Sequence, residues 1–397
     1  MTTFVPSSAT DVLDAVQWAV SEAVPLEIHG HGSRRGIGRP PQTEHALDLS
    51  QLSGVTLYEP EELVLSAKAG TPRADIEALL AERGQELAFE PMDCGPLFGA
   101  PAGRGTIGGV LASNQSGPRR IRAGAVRDHV LGIHAVSGRG EAFKSGGRVV
   151  KNVTGYDLSK AMAGSWGTLA VVTDVTFKVL PAAETETTLV LPGLLDDEAV
   201  AAMALAMGSP AEVSAAAHLP EGIAAKASPA LRGAATLLRV EGFGPSVEYR
   251  VRHLRDLFGG HVFEQIAGDA SKALWQALRD CLPFADDSDS PVWRVSMAPT
   301  QAHNMALDLR RQAAAELFYD WAGGLVWVRM HDDPEADLVR GLVRQHGGGH
   351  ATLLRAGPAH RAAVPVFEPQ PRALAALSRR LKEQFDPKGI LNPGRMG

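Results

Sequence analysis

Three glycine-rich stretches carry the residue types that could do chemistry in this chain. The first is Ile28-His29-Gly30-His31-Gly32-Ser33-Arg34-Arg35-Gly36-Ile37-Gly38. Glycines at this density leave backbone N–H groups free to surround an anion, and such a nest suits a pyrophosphate. The spacing invites a dinucleotide fingerprint, but that motif needs a helix directly after its glycines. Arg39-Pro40-Pro41 follows instead, and no helix can start and run through it. A Rossmann unit is excluded. The second stretch is Pro101-Ala102-Gly103-Arg104-Gly105-Thr106-Ile107-Gly108-Gly109, continued by Ala112-Ser113-Asn114-Gln115-Ser116-Gly117. It sets backbone and hydroxyl donors against a closely packed ligand. The third joins Gly155-Tyr156-Asp157-Leu158 to Gly164-Ser165-Trp166-Gly167-Thr168-Leu169. Each stretch, taken alone, is equally a set of turns.

Groups able to move a proton are sparse. His350 and Tyr156 are the candidates, and a lone histidine such as His350 is more often a loop or satisfied core residue than a base. Arg294, Arg329 and Arg355 could each take a carboxylate in a bidentate grip, although pairing with acidic neighbours is the plainer expectation. No metal-ligand set is expected.

The rest of the composition narrows the class. The 397 residues are 45% apolar and 21% charged, as in an ordinary globular protein of two to three domains. Lys and Arg number 39 against 45 Asp and Glu, a net charge of −6, which gives no general attraction for nucleic acid or an anionic membrane. The two cysteines exclude a disulfide scaffold and an iron–sulfur cluster held by this chain alone. The N-terminal residues lack a signal-peptide pattern, and the longest apolar run, Ala199 to Met207, is far short of the ~20 residues a bilayer needs. A cytoplasmic protein is expected.

The elements that must position these residues are legible from spacing. Val12, Val16, Ala19, Val20 and Ala23 have helical period before Pro25, and Leu26-Glu27-Ile28 is a strand feeding the first glycine loop. Thr71-Pro72 reads as the cap and first position of a helix carrying Ile76, Leu79 and Leu80, with Gly84 past its end. Val130 to Val136 is a strand with a hairpin at 137–140, and Leu169 to Leu180 is a buried strand. Beyond a joint near Pro181, strands at 187–191, 212–219, 237–240 and 261–266 alternate with a helix capped by Asp196 and running to Met207 and one from Pro245 to Phe258. This mixture predicts an α+β fold whose second part is an antiparallel sheet with helices on one face. A last amphipathic helix spans Pro371 to Phe385.

Together, in this order, the three stretches resemble the flavin-binding domain of the vanillyl-alcohol-oxidase superfamily, of p-cresol-methylhydroxylase (PCMH) type, in its glycolate oxidase and D-lactate dehydrogenase branch. The resemblance covers Pro25 to Pro181 and includes the Arg127-Asp128 pair. It implies a FAD-binding domain over 1–182, built of two α+β subdomains, and a FAD-linked-oxidase-like C-terminal domain over 183–397. By the resemblance His29, Gly30, His31, Gly32 and Ser33 surround the FAD pyrophosphate. Pro101, Gly105, Thr106, Gly108, Gly109, Asn114 and Gly117 lie along the flavin, with Gly164, Gly167 and Thr168 at the strand entry and Val171 and Val172 at the adenine end. Ser33 stands where covalent relatives have a histidine, which implies non-covalent FAD. The tail Phe385-Asp386-Pro387-Lys388-Gly389-Ile390-Leu391-Asn392-Pro393-Gly394-Arg395 is similar to the family's closing segment, returning Asn392 to the flavin.

Catalytic members of this branch also carry a His-Gly-Asp-Gly-Asn strand and a Ser-Gly-Glu-His-Gly turn. Here Gly323 to Met330 and Gly347 to Thr352 stand in roughly those places, without the histidine–carboxylate set. That departure resembles the smaller FAD-binding subunits of bacterial glycolate oxidases, as do Val149 to Asp157, Trp293-Arg294-Val295-Ser296 and Gly348 to Leu353. The resemblance implies a larger FAD-binding subunit and an iron–sulfur subunit as partners, with contact to the inner face of the membrane only through the complex. Two readings stay open: a flavin-bearing assembly subunit, and a stand-alone FAD-dependent 2-hydroxy acid dehydrogenase.

Overall fold

A computed structural model describes residues 2–149 and 155–396; residues 150–154, inside the Val149 to Asp157 motif, lie outside them. The helix Ala9–Glu22 starts in a capping box between Ser8 and Asp11 and ends on Ala23 in the left-handed conformation. Its stripe of Val12, Ala15, Val16 and Ala19 packs on Leu26, Leu47, Val171 and the tail residues Ile390 and Leu391. Beneath it, strands Thr2–Phe4, His45–Asp48 and Leu26–His29 form a small parallel sheet.

A five-stranded antiparallel sheet follows, in the order Val55–Glu59, Val64–Lys68, Ala170–Lys178, Val130–Ser137, Ala142–Gly146. The run read as a buried strand is its central member. Ile76, Leu80, Phe89, Ile107, Val110 and Leu111 pack against it. The helix over 73–81 begins one residue later than its cap signal suggested: Pro72 is the N-cap, and the Thr71 hydroxyl donates to the Lys68 carbonyl at 2.7 Å.

The remaining chain builds an eight-stranded antiparallel sheet. Its far end runs Ala315–Asp320, Leu325–Met330, Val292–Met297, Gly349–Arg355. Helices Asp196–Met207, Gly244–Leu257, Pro299–Gln312 and Ala336–Gln345 bury their apolar stripes on one face. The opposite face takes the helix Asp269–Arg279 through Leu274, Trp275 and Leu278, together with Ile37, Met92, Cys94, Leu97 and Trp166 of the first part. One helix therefore sits apart from the other four, because the first part does not cover that whole face.

Three local readings change. Asp196 does not cap its helix; Glu198 accepts from the Leu195 amide at 2.9 Å, and Asp196 accepts from the Tyr319 hydroxyl at 2.6 Å and pairs with Arg310 at 2.9 Å. The strand read from Glu212 begins at Ala215, and that read from His261 begins at Glu264. The amphipathic helix Arg372–Phe385 buries no side chain, and Leu374 and Leu377 are exposed. No helix among the described residues is long and apolar enough to cross a membrane.

Buried charges join the two parts. Glu90 receives both guanidinium nitrogens of Arg239, from the large sheet, at 2.7 and 3.0 Å, while the Arg119 amide donates to it at 2.7 Å. Arg119 also meets Glu241 at 2.8 Å. Burial alone would raise the Glu90 carboxyl, but Arg239 and Arg119 outweigh it and hold it at about 2. Removing one member of such a set strands a buried charge, at a cost of about 3–5 kcal/mol. Glu90→Gln should lose about that much in urea unfolding, whereas Glu212→Gln, at the exposed Arg122–Glu212 pair, should lose about 0–1 kcal/mol. Equal small losses would contradict the clamp.

Candidate functional site

The first glycine loop, the second glycine stretch and the Gly164–Gly167 turn come together around two adjoining cavities. Both are lined by Ile28, His29, Gly30, Thr106, Gly109, Ala112 and Trp166. His31, Gly32 and Ser33 line the first, and Gly108, Gly167, Val171, Val172 and Asn392 the second. The loop turns without a helix, as Arg39-Pro40-Pro41 required.

Local sequence explains the shape. Leu26–His29 ends where Gly30 passes Thr106 so closely that an added Cβ would sit 2.7 Å from the threonine side chain. The amides of His31, Gly32, Ser33 and Arg34, residues that line the first cavity, donate to no protein acceptor among the described residues. Thr106 caps the helix Ile107–Ser113 by accepting from the Gly109 amide at 3.2 Å. The tail closes the back. Asn392 accepts from the Ile28 amide at 2.7 Å and donates to the Trp166 carbonyl at 2.9 Å, so one buried amide ties the first loop to the 164–167 turn.

A third cavity of about 300 Å³ opens where Ser113, Asn114 and Gly164 face the large sheet. Trp166 lines all three cavities. From the sheet side the third receives Arg294, Ser296, Trp321, His350 and Thr352. Alternation puts Arg294 and Ser296 on the face opposite Trp293 and Val295, and register pairs Arg294 with Thr352 and Ser296 with His350. The strand Val292–Met297 has Leu325–Met330 on one side and Gly349–Arg355 on the other. The two segments that lack the family's histidine–carboxylate motifs thus flank Arg294.

Several expected site residues lie elsewhere. Tyr156 is 93% exposed, beside Asp128, Lys160 and Lys178, and lines none of the three cavities. Gly117 is a packing point: a Cβ there would meet the Glu90 carbonyl at 2.6 Å, and its own carbonyl accepts from Trp321 Nε1 at 2.9 Å. Pro101 presses its carbonyl on Gly95. Thr168 donates to the Ser165 carbonyl at 2.7 Å and so shapes the turn. Gly105 stands behind the loop, where an added Cβ would be 3.3 Å from Arg34. Arg329 and Arg355 are paired, the first with Asp286 and Glu316, the second with Asp286 at 3.1 Å and with the Leu97 and Phe284 carbonyls. Sequence reading missed Trp166, Ala112, Met162, Leu49, Ala69, Arg34, Arg35 and Arg395 as lining residues. Trp166, inside a motif already singled out, could have been found; Leu49 and Ala69 reach the site only through tertiary packing. Among the described residues no three His, Cys, Asp or Glu side chains cluster to hold a metal ion.

Residues 2–146 match the family described as FAD binding domain, and 367–396 match the C-terminal domain of FAD linked oxidases. The chain is 36% identical to the glycolate oxidase subunit GlcE of Escherichia coli over 386 residues, covering 97% of this chain and 96% of that one. It is 31% identical to the glycolate oxidase subunit GlcD of Bacillus subtilis over 183 residues, 45% of this chain and 37% of that protein. The fold matches p-cresol methylhydroxylase with a TM-score of 0.73 at 14% identity, covering 100% of this chain and 88% of that one. The cofactor is FAD, and the residues fit it: free loop amides for a pyrophosphate and an apolar slot at Val171 and Val172.

Gly108 and Gly109 separate folding from binding. An added Cβ at Gly108 would lie 2.8 Å from the Ala69 carbonyl, whereas at Gly109 it would lie 3.3 Å from Thr106 Oγ1 and enter the cavities. Neither has a positive φ, so only space decides. Gly109→Val should fold with a normal melting temperature and little FAD by absorbance; Gly108→Val should lose stability as well. Full FAD occupancy in Gly109→Val would contradict the placement.

Proposed function

We infer the function of this chain from one premise: it belongs to the GlcE family of FAD-linked oxidases. It is the FAD-bearing subunit of a complex that oxidises glycolate, a 2-hydroxy acid, to glyoxylate, with electrons leaving through partner subunits. Its partners are a larger FAD-binding subunit of GlcD type and an iron–sulfur subunit, and the complex works in the cytoplasm at the inner face of the membrane. Residues 1–182 form the FAD-binding domain and 183–397 the second domain, whose tail 385–397 returns to the cofactor. FAD is held non-covalently, with Ser33 in the loop that carries the attachment histidine in covalent relatives.

Bound FAD supplies acceptance of an electron pair from a C–H bond and its release to a partner. The chain's own residues bind and orient. Gly30 to Ser33 would hold the pyrophosphate, Thr106 would lie along the flavin and Val171 and Val172 at the adenine end, while Asn392 ties the first loop to the 164–167 turn. The observation that favours a relay subunit is the third cavity: its described lining has one imidazole, His350, and no carboxylate. Removing a hydroxyl proton needs an oriented base within about 3 Å, worth roughly 10²–10⁴-fold.

That same His350 favours the second reading, a stand-alone 2-hydroxy acid dehydrogenase, since it lines the cavity beside Arg294. One experiment separates the two. Acid precipitation of the purified chain should release its flavin into the supernatant. Anaerobic glycolate or D-lactate should then bleach the intact chain's flavin band slowly or not at all, and adding the larger flavin subunit and the iron–sulfur subunit should restore dye reduction. Rapid bleaching of the chain alone, lost in His350→Ala, would establish the stand-alone enzyme.

A further inference from the structure

We propose that Arg294, with Arg120, is a carboxylate anchor: a site in this chain itself for the carboxylate of a short 2-hydroxy or 2-oxo acid. The inference rests on the reading of the chain as a FAD-bearing glycolate oxidase subunit and adds a ligand site that the relay role does not require.

Arg294 is set apart by its surroundings. The other inward-facing arginines of this sheet are satisfied: Arg239 by Glu90, Arg355 by Asp286 and main-chain carbonyls, Arg329 by Asp286 and Glu316. Arg294 has no ion pair and no hydrogen bond among the described residues, and its guanidinium lies 4.7 Å from the centre of the Trp321 ring. Arg120, also without an acidic partner among the described residues, lies over the same ring at 4.5 Å. Two like charges gathered on one indole repel, and cation–π attraction offsets that only in part. Burial, with the charge of Arg120, draws Arg294 down to about 10, so it stays a cation at neutral pH. A desolvated cation without a counter-charge is costly unless a ligand supplies one.

The acid nearest in the fold does not fill that place. Asp320 accepts from the Trp321 amide at 2.7 Å, and burial pushes its carboxyl up to about 7. It holds the Trp321 main chain and makes no ion pair with the guanidinium among the described residues. Arg294 faces a cavity of about 300 Å³, shared with Ser296, Thr352 and His350, roomy enough for a two-carbon acid. A carboxylate there would take a bidentate grip from Arg294, with hydroxyl donors one strand position away. The cavity also borders Asn114 and Gly164 of the FAD side, so an acid anchored at Arg294 stands at the mouth of the cofactor cradle.

The test is direct binding to the FAD-loaded chain, read by calorimetry and tryptophan fluorescence. The probe is oxalate, which has the carboxylate and no oxidisable C–H bond; glycolamide, the uncharged counterpart of glycolate, serves as control. Wild type should bind oxalate and not glycolamide. Arg294→Met should weaken oxalate on the order of 10- to 100-fold with FAD content unchanged. Arg120→Ala, at an exposed position over the Trp321 ring, should weaken it by a smaller factor. Oxalate affinity unaltered in both variants would overturn the anchor, as would FAD-loaded wild type that ignores oxalate. Loss of FAD in Arg294→Met with oxalate binding kept would assign the arginine to the cofactor instead. A colourless wild-type chain would overturn the FAD reading alone, because oxalate binding by that chain still decides the anchor.

Discussion

Glu90 lies between the glycine-rich domain and the large sheet and is held there by two guanidiniums. Of the two pairs, Glu90–Arg239 is the one that crosses the joint, so it fixes how the two halves meet. The rest of the site follows from that seating. Trp321 Nε1 can reach the Gly117 carbonyl across the joint, and the Arg294 face of the sheet comes to stand over Asn114 and Gly164. The same sheet contains two kinds of buried arginine. Among the described residues Arg239 meets a carboxylate supplied by the chain, whereas Arg294 meets aromatic rings and no carboxylate. The first contributes to assembly, and the second is where a ligand's charge fits.

The tail depends on a second buried acid. Asp386 accepts from the amides of Ile390 and Leu391 at 3.0 and 2.9 Å and pairs with Lys382 at 2.5 Å. It folds the last residues into a turn that lays Ile390 and Leu391 into the first domain's core. Arg395 then donates to the Arg34 carbonyl at 2.6 Å, and Asn392 joins the first loop to the 164–167 turn. Residues 390–395 thus close the cradle that residues 28–34 open.

The glycine stretches and the central strand at 170–178 were legible because their physics is local: close approach, free amides and an unbroken apolar run. The proline pair at 40–41 was enough to exclude a Rossmann helix. Long-range choices were not legible. Nothing in Asp269–Arg279 says that its stripe faces the opposite side of the sheet from the other helices. Asp196 looked like a cap because its partners, His218, Arg310 and Tyr319, are distant in sequence. The three arginines looked alike, and only register and the positions of Asp286 and Glu316 separate Arg294 from Arg329 and Arg355. Tyr156 sat in a motif beside the cradle yet points away from it.

The central claim is that this chain's own FAD belongs to the electron path of the complex. It is tested most directly by assembling the complex with a chain carrying Gly109→Val, free of FAD, beside a larger subunit that retains its flavin, and measuring glycolate-dependent dye reduction. The account predicts that complex formation persists by gel filtration while dye reduction falls to background. Turnover at the wild-type rate from an assembled complex whose GlcE-type chain is empty would contradict it.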